Sequence, residues 1–246
     1  MLQIQRFAPL QPRSDAARHT PIQGVLLTNA DLDHTLGLAL LREGARLPIY
    51  STPRVSEALT EGVSLLPMLD AYCGVEWLES SFDKQELVNR GGKCSRLSVQ
   101  AFNIPGHAPK YHKTDTRSAH GDSVGYLITD SRTGGRLIFA PDVSVIQASQ
   151  MQVYERADVL LFDGTFWSED EMQRAGTGSA RAAEMGHVPI SGSGGSLAIL
   201  KTLPIKQRVY MHINNTNPIL IEDSAERREV QACGIVVGQD GMEFEV

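Results

Sequence analysis

Short apolar runs and helix-spaced apolar runs alternate along most of this chain. Val25, Leu26 and Leu27 predict a strand over 24–28. Leu36, Leu38, Leu40 and Leu41 predict a helix over 35–43, closed by Gly44. A strand over 47–51 and a helix over 53–61, opening on Pro53, follow; then comes an irregular stretch with Cys73 and Trp77. Residues 97–104 alternate like a half-buried strand, and a polar loop over 105–122 puts His112 and His120 at the surface. Strands 124–129 and 136–140 flank a Gly-rich turn at 131–135 and predict a hairpin. A helix over 144–156, a strand over 157–163, helices near 179–185 and 195–203, and a strand over 207–213 come next. Ser224 as cap, Glu226 in the first turn and Gly234 beyond the end bound a helix over 225–232. A last hairpin is predicted from 235–237 and 242–246 around Gln239-Asp240-Gly241. Residues 1–20, broken by Pro9 and Pro12, carry no strand signal. The pattern is that of an α/β chain with both parallel and antiparallel pairing.

Composition narrows the class. With 246 residues, 41% hydrophobic and 21% charged, the chain suits one globular domain over 1–246. The net charge of -6, with no basic stripe, argues against nucleic acid as a partner. No run of 18 apolar residues occurs, so no membrane span is expected. The opening residues lack the apolar core of a signal peptide, which gives a cytoplasmic reading. Cys73, Cys94 and Cys233 stand far apart without a CxxC pair, so they read as isolated reduced thiols.

The chemistry gathers where apolar runs end. The run at 24–28 breaks into a cluster ending in Asp33 and His34, which can be read as a first-turn cap or as metal ligands. The run to 104 ends in Pro105-Gly106-His107, and RLIFA ends in Pro141-Asp142. DVLLF ends in Asp163-Gly164-Thr165, and RVYM ends in His212. Asp favours turns and caps, but His has no capping role. Carboxylates gathered on one rim repel unless a cation or shared protons relieve them. A divalent metal is the economical answer.

These residues, in this order, resemble the metallo-β-lactamase fold, an αββα sandwich. The first motif of that fold is HxHxDH. Here Asn29-Ala30-Asp31-Leu32-Asp33-His34 stands in its place, so Asp33 and His34 match and both leading histidines are replaced. NADLDHTLGLALLREG, FAPD, DGTFWSEDEMQRAG, EMGH and MHINNTNPIL closely resemble the pyrroloquinoline quinone (PQQ) biosynthesis protein B family, over residues 3–246. The resemblance implies an N-terminal segment of further strands with a Cys-rich structural zinc site, both absent here. The expected fold is therefore an N-terminally shortened sandwich whose open sheet edges would favour association, a homodimer included.

For function, the resemblance implies an iron-dependent hydroxylase. It would use O₂ to oxygenate the tyrosine ring of a cross-linked Glu–Tyr precursor, a small amino-acid-derived molecule. Asp33, His34 and His212 would make the two-His, one-carboxylate facial set of non-haem Fe(II), although the same ligands take zinc or manganese. Asp163, His187 and Asp142 are the candidates for proton movement or substrate orientation. Asn214, Asn215 and Asn217 are candidates for hydrogen bonds to a carboxylate-rich substrate, or for a turn. Two other readings stand beside this one: a carrier for PQQ or its precursor, and a metal-dependent hydrolase, which would need a second metal.

Overall fold

The computed structural model describes residues 2–16, 19–43, 46–112 and 119–246, and the chain divides into two compact units. The first comprises Met1–Asn103 and His107–Val124; the second comprises Ile104–Gly106 and Gly125–Val246.

The first unit opens with α1 (Leu2–Arg6) and a 3-10 turn at Ala8–Leu10, where the sequence indicated only irregular chain. β1 (Val25–Leu26) is shorter than the expected strand and leads to α2 (Leu32–Thr35). The expected helix over 35–43 is instead a 3-10 helix at Leu36–Leu41, and its predicted stop, Gly44, lies outside the described residues. The leucine spacing explains the difference. Leu38 is buried while Leu36 and Leu40 are exposed, a narrower apolar stripe than a packed α-helix presents. β2 (Leu47–Ser51) is buried throughout. The helix opening at Pro53 is α3 (Pro53–Glu57), capped by the Thr52 hydroxyl and continued by a π turn over Ala58–Gly62.

The stretch expected to be irregular holds α4 (Leu65–Cys73), β3 (Val75–Glu79) and β4 (Gln85–Val88). Leu65, Leu66 and Leu69 form the buried face of α4, and Gly74, at a φ of 75 that favours glycine, ends it. β5 (Cys94–Ile104) pairs antiparallel with β4. β1, β2 and β3 make a parallel sheet in that order, with Ile49 opposite both Val25 and Trp77. Leu27, Leu47, Ile49, Leu59 and Leu69 anchor the core of this unit.

The second unit is built from β6 (Ser123–Asp130, beginning at the end of the first unit), β7 (Arg136–Ala140), α5 (Ala148–Tyr154) and β8 (Val159–Asp163). It continues through α6 (Glu171–Arg174), α7 (Ser196–Leu200), β9 (Gln207–Met211), α8 (Ala225–Ala232) and β10 (Val236–Val237). β6 and β7 form the expected antiparallel hairpin. β7, β8, β9 and β10 then pair in parallel. Near 179–185 only a 3-10 turn at Ala183–Met185 forms. α8 matches its expected bounds, with the Ser224 hydroxyl accepting from the Arg227 N–H.

The predicted terminal hairpin does not form. β10 joins β9 in parallel with α8 as the crossover, and residues 242–246 form no strand. The Gly238 N–H donates to the Tyr210 carbonyl at 2.7 Å, which fixes β10 on β9.

Parallel pairing decides where the chemistry lies. The register sets Ala140 opposite Phe162, Phe162 opposite Tyr210, and Asp163 opposite Met211. The carboxyl ends of β7, β8 and β9 therefore share one edge, where ligands of open α/β sheets bind. Beneath that edge Phe162 packs edge-on against Tyr154 and Tyr210, all fully buried.

Candidate metal centre

Asp163 is the last residue of β8, His212 follows β9 directly, and Asp142 lies two residues beyond β7, as the strand-end pattern implied. The fourth member, His187, arrives from a loop. Gly186, at φ 88, ends the 3-10 turn at Ala183–Met185, and the Val188 N–H reaches the Val143 carbonyl at 2.6 Å. That pairing holds His187 beside the segment after β7 and buries it.

Asp163 is wholly buried and saturated with donors. Oδ2 accepts from the Val143 N–H at 2.9 Å and contacts His187 Nδ1 at 2.8 Å. Oδ1 accepts from the Thr165 N–H at 3.0 Å and from its hydroxyl at 2.6 Å. Burial alone would raise its pKa; the hydrogen bond from His187, and the nearby His187 and His212 imidazoles, outweigh burial and hold it at about 2. For His187 burial works to lower the pKa, but the Asp163 carboxylate prevails and raises it.

Asp142 Oδ1 lies 3.8 Å from both His187 Nδ1 and His212 Nδ1. Asp142, His187 and His212 each offer a ligand atom within 4.8 Å of the others, a donor set compatible with a divalent cation. The imidazoles of His187 and His212 lie 5.6 Å apart at a 35° tilt, and Phe166 packs edge-on against His187. His212 has φ 56, a left-handed backbone uncommon for a residue with a side chain, and such outliers cluster at functional sites.

The asparagines that follow differ in setting. Asn217 is buried; its Nδ2 donates to the carbonyls of Gly164 (2.8 Å) and Thr165 (3.2 Å), and its Oδ1 accepts from the Ile219 N–H. Asn214 is half-buried and donates to the Thr216 hydroxyl, which in turn donates to the buried Glu171. Asn215 is exposed.

In the first unit, Asp31 occupies the N-cap position of α2, and its N–H donates to Asn29 Oδ1 at 3.0 Å. The Tyr111 hydroxyl donates to the Ala30 carbonyl between them. Burial, then the nearby Asp31 charge, pushes that phenol up to about 12. This anchored turn delivers Asp33, exposed, and His34, half-buried, with Asp33 Oδ2 3.8 Å from His34 Nε2. His34 Nδ1 lies 3.3 Å from the Thr28 hydroxyl. His107 and His120 are exposed, whereas His112, expected on the surface, is buried. Thr165 was not singled out from the sequence. Its signal is its place two residues after Asp163, where an Asp side chain commonly bonds the backbone ahead of it.

The fold and these strand-end carboxylates and imidazoles define a metallo-β-lactamase-type protein. The family model described as "Beta-lactamase superfamily domain" matches residues 2–213. The chain is 41% identical over 251 residues to "Coenzyme PQQ synthesis protein B" of Pseudomonas putida, covering 99% of this chain and 80% of that protein. The protein of the same name from Nitrosococcus oceani is 40% identical, over 98% of this chain and 79% of its own length. The crystal structure of Zn(2+)-bound PqqB from Methylobacterium extorquens superposes with a TM-score of 0.87 at 36% identity, covering 100% of this chain and 80% of that one. The chain belongs to the coenzyme PQQ synthesis protein B family. No helix among the described residues is long and apolar enough to cross a membrane.

Proposed function

We propose that this chain serves coenzyme PQQ biosynthesis as a metal-dependent oxygenase, an Fe(II)- and O₂-using hydroxylase of the tyrosine ring in a cross-linked Glu–Tyr precursor. The observation that carries this reading is the first motif. Asp33 and His34 keep their metal-ligating types, while Asn29 and Asp31 replace the histidines that a two-metal hydrolytic site requires.

Asp33, His34 and His212 would hold the metal, two imidazoles and a carboxylate of the kind that binds non-haem Fe(II). Bound there, Fe(II) supplies redox chemistry that side chains lack. His187 moves the proton: its Nδ1 is bonded to Asp163, so Nε2 is the nitrogen that exchanges a proton with substrate. Asp163 keeps His187 in that orientation and supports its charged form. Asp142 stands 3.8 Å from both imidazoles and orients the substrate or receives a proton from it. Asn214 and Asn215 bond the precursor's carboxylates, while the Asn217 amide holds the loop that carries them.

Iron analysis of the full chain loaded anaerobically with Fe(II) tests this reading. One iron per chain and O₂-dependent hydroxylation of the precursor are expected. His34→Ala and His212→Ala should each abolish iron loading, and a variant that keeps stoichiometric iron and full activity overturns the ligand set.

A second reading rests on the Asp142, His187 and His212 cluster. A second divalent ion there would equip the chain for hydrolysis, and two zinc ions per chain with no oxygenation would favour it. Tight PQQ binding without turnover after metal removal would instead mark a carrier.

A further inference from the structure

The Thr165 hydroxyl has one proton and three close neighbours. Its Oγ1 lies 2.6 Å from Asp163 Oδ1, 2.8 Å from the His212 carbonyl oxygen and 2.9 Å from His212 Nδ1. A hydroxyl donates once and accepts through two lone pairs. A 2.6 Å approach to a carboxylate oxygen requires the proton on that line, because lone pairs would otherwise oppose each other. The carbonyl is also only an acceptor. Whichever of the two oxygens takes the proton, none is left for His212. The 2.9 Å contact is then a hydrogen bond only if Nδ1 carries a proton and donates it to Thr165.

We infer that Thr165 is a positioning residue that holds His212 in the tautomer protonated at Nδ1, making Nε2 the nitrogen offered to a metal ion. The metal half of this inference rests on the reading of His212 as a ligand; the tautomer half does not.

The backbone is built to keep this contact. The Thr165 N–H donates to Asp163 Oδ1 at 3.0 Å, and its carbonyl accepts from the Asn214 N–H at 3.1 Å and from Asn217 Nδ2 at 3.2 Å. The left-handed conformation of His212 brings its own carbonyl and its ring Nδ1 onto the same Thr165 oxygen. Asp163 thus sets both imidazoles, His187 directly and His212 through Thr165. Metal-ligating histidines ordinarily give their second N–H to a carboxylate, a carbonyl or water. Here a hydroxyl relays that role.

The test reads the tautomer and the metal separately, on the full chain. Heteronuclear NMR of the imidazole nitrogens is recorded on metal-free protein at mildly alkaline pH, with His212 assigned by comparison with His212→Gln. Wild type and Thr165→Ser should show a proton on Nδ1 and none on Nε2, and Thr165→Val should lose that preference. Titration with Zn(II) against a chromophoric chelator should show binding about 10–100-fold weaker in Thr165→Val and restored in Thr165→Ser. A wild-type spectrum with the proton on Nε2 overturns the inference without any variant, which also decides the matter should Thr165→Val not fold. So does a Thr165→Val protein with unchanged tautomer and unchanged Zn(II) affinity. Unchanged Zn(II) binding in His212→Ala would instead remove His212 from the ligand set, and the tautomer result would stand apart from it.

Discussion

His187 Nδ1 meets Asp163 Oδ2 at 2.8 Å, and the carboxylate that holds it has no exposure to solvent. The sequence separates the two residues by a helix, a 3-10 turn and a left-handed glycine, so this contact is made by folding alone. Removing one partner of a buried pair leaves the other uncompensated, which costs about 3–5 kcal/mol. Asp163→Asn should destabilise the chain by that amount in urea unfolding, with the loss reported as a lowered midpoint at unchanged slope.

The same pair sets a pH dependence. Asp163 holds its proton only near pH 2 when folded, below the ordinary carboxylate value of about 3.9. Its contribution is therefore complete above about pH 4 and is lost as pH falls toward 2. His187 is shifted up from about 6.5, so its share is complete below that value and fades as pH rises through its folded pKa. Denaturation midpoints measured across pH should fall on both sides, and Asp163→Asn should flatten both limbs. Limbs of equal steepness in wild type and variant would sink this account.

Asn217 and Asn215 separate loop support from ligand contact. Asn217→Ala removes the partner of the buried Gly164 carbonyl and Ile219 N–H, each worth about 1–3 kcal/mol, while the Thr165 carbonyl keeps the Asn214 N–H. Its melting temperature should drop measurably. Asn215→Ala, at an exposed position, should change stability by less than about 0.5 kcal/mol while raising KM for the precursor.

Gly164 is required for a close approach rather than for an unusual backbone angle. A Cβ there would lie 2.9 Å from Tyr210 Cβ and 3.1 Å from the Met211 carbonyl. Gly164→Ala should cost about 1–3 kcal/mol by overpacking the β8–β9 edge, read as a shift in thermal unfolding.

Several features were legible without coordinates. The cap and stop of α8 depend on Ser224, Glu226 and Gly234 alone, and the helix forms within its expected bounds. The β6–β7 hairpin was announced by its turn and by alternation. The failures share a cause. The turn signal at Asp240-Gly241 is local and predicts a hairpin for residues 235–237, whereas the actual partner of β10, β9, lies across a whole helix. The leucine run after His34 predicts an α-helix from content, while only Leu38 is fully buried and Ala39 and Leu41 pack partly against the core.

By itself the sequence determined which residue types stand at the ends of apolar runs, because strand ends, turns and caps are set by neighbours a few positions apart. Asp33, His34, Asp142, Asp163 and His212 could all be named that way. Tertiary structure decided which atoms meet. It gave both oxygens of Asp163 to backbone and side-chain donors, buried His187 through a loop 24 positions away, and spent the Asn217 amide on the chain itself. It also placed one Thr165 hydroxyl between a carboxylate two residues before it and an imidazole 47 residues after it. Hydrogen bonds are short and directional, so they register only after parallel strands have brought distant ends of the chain to one edge.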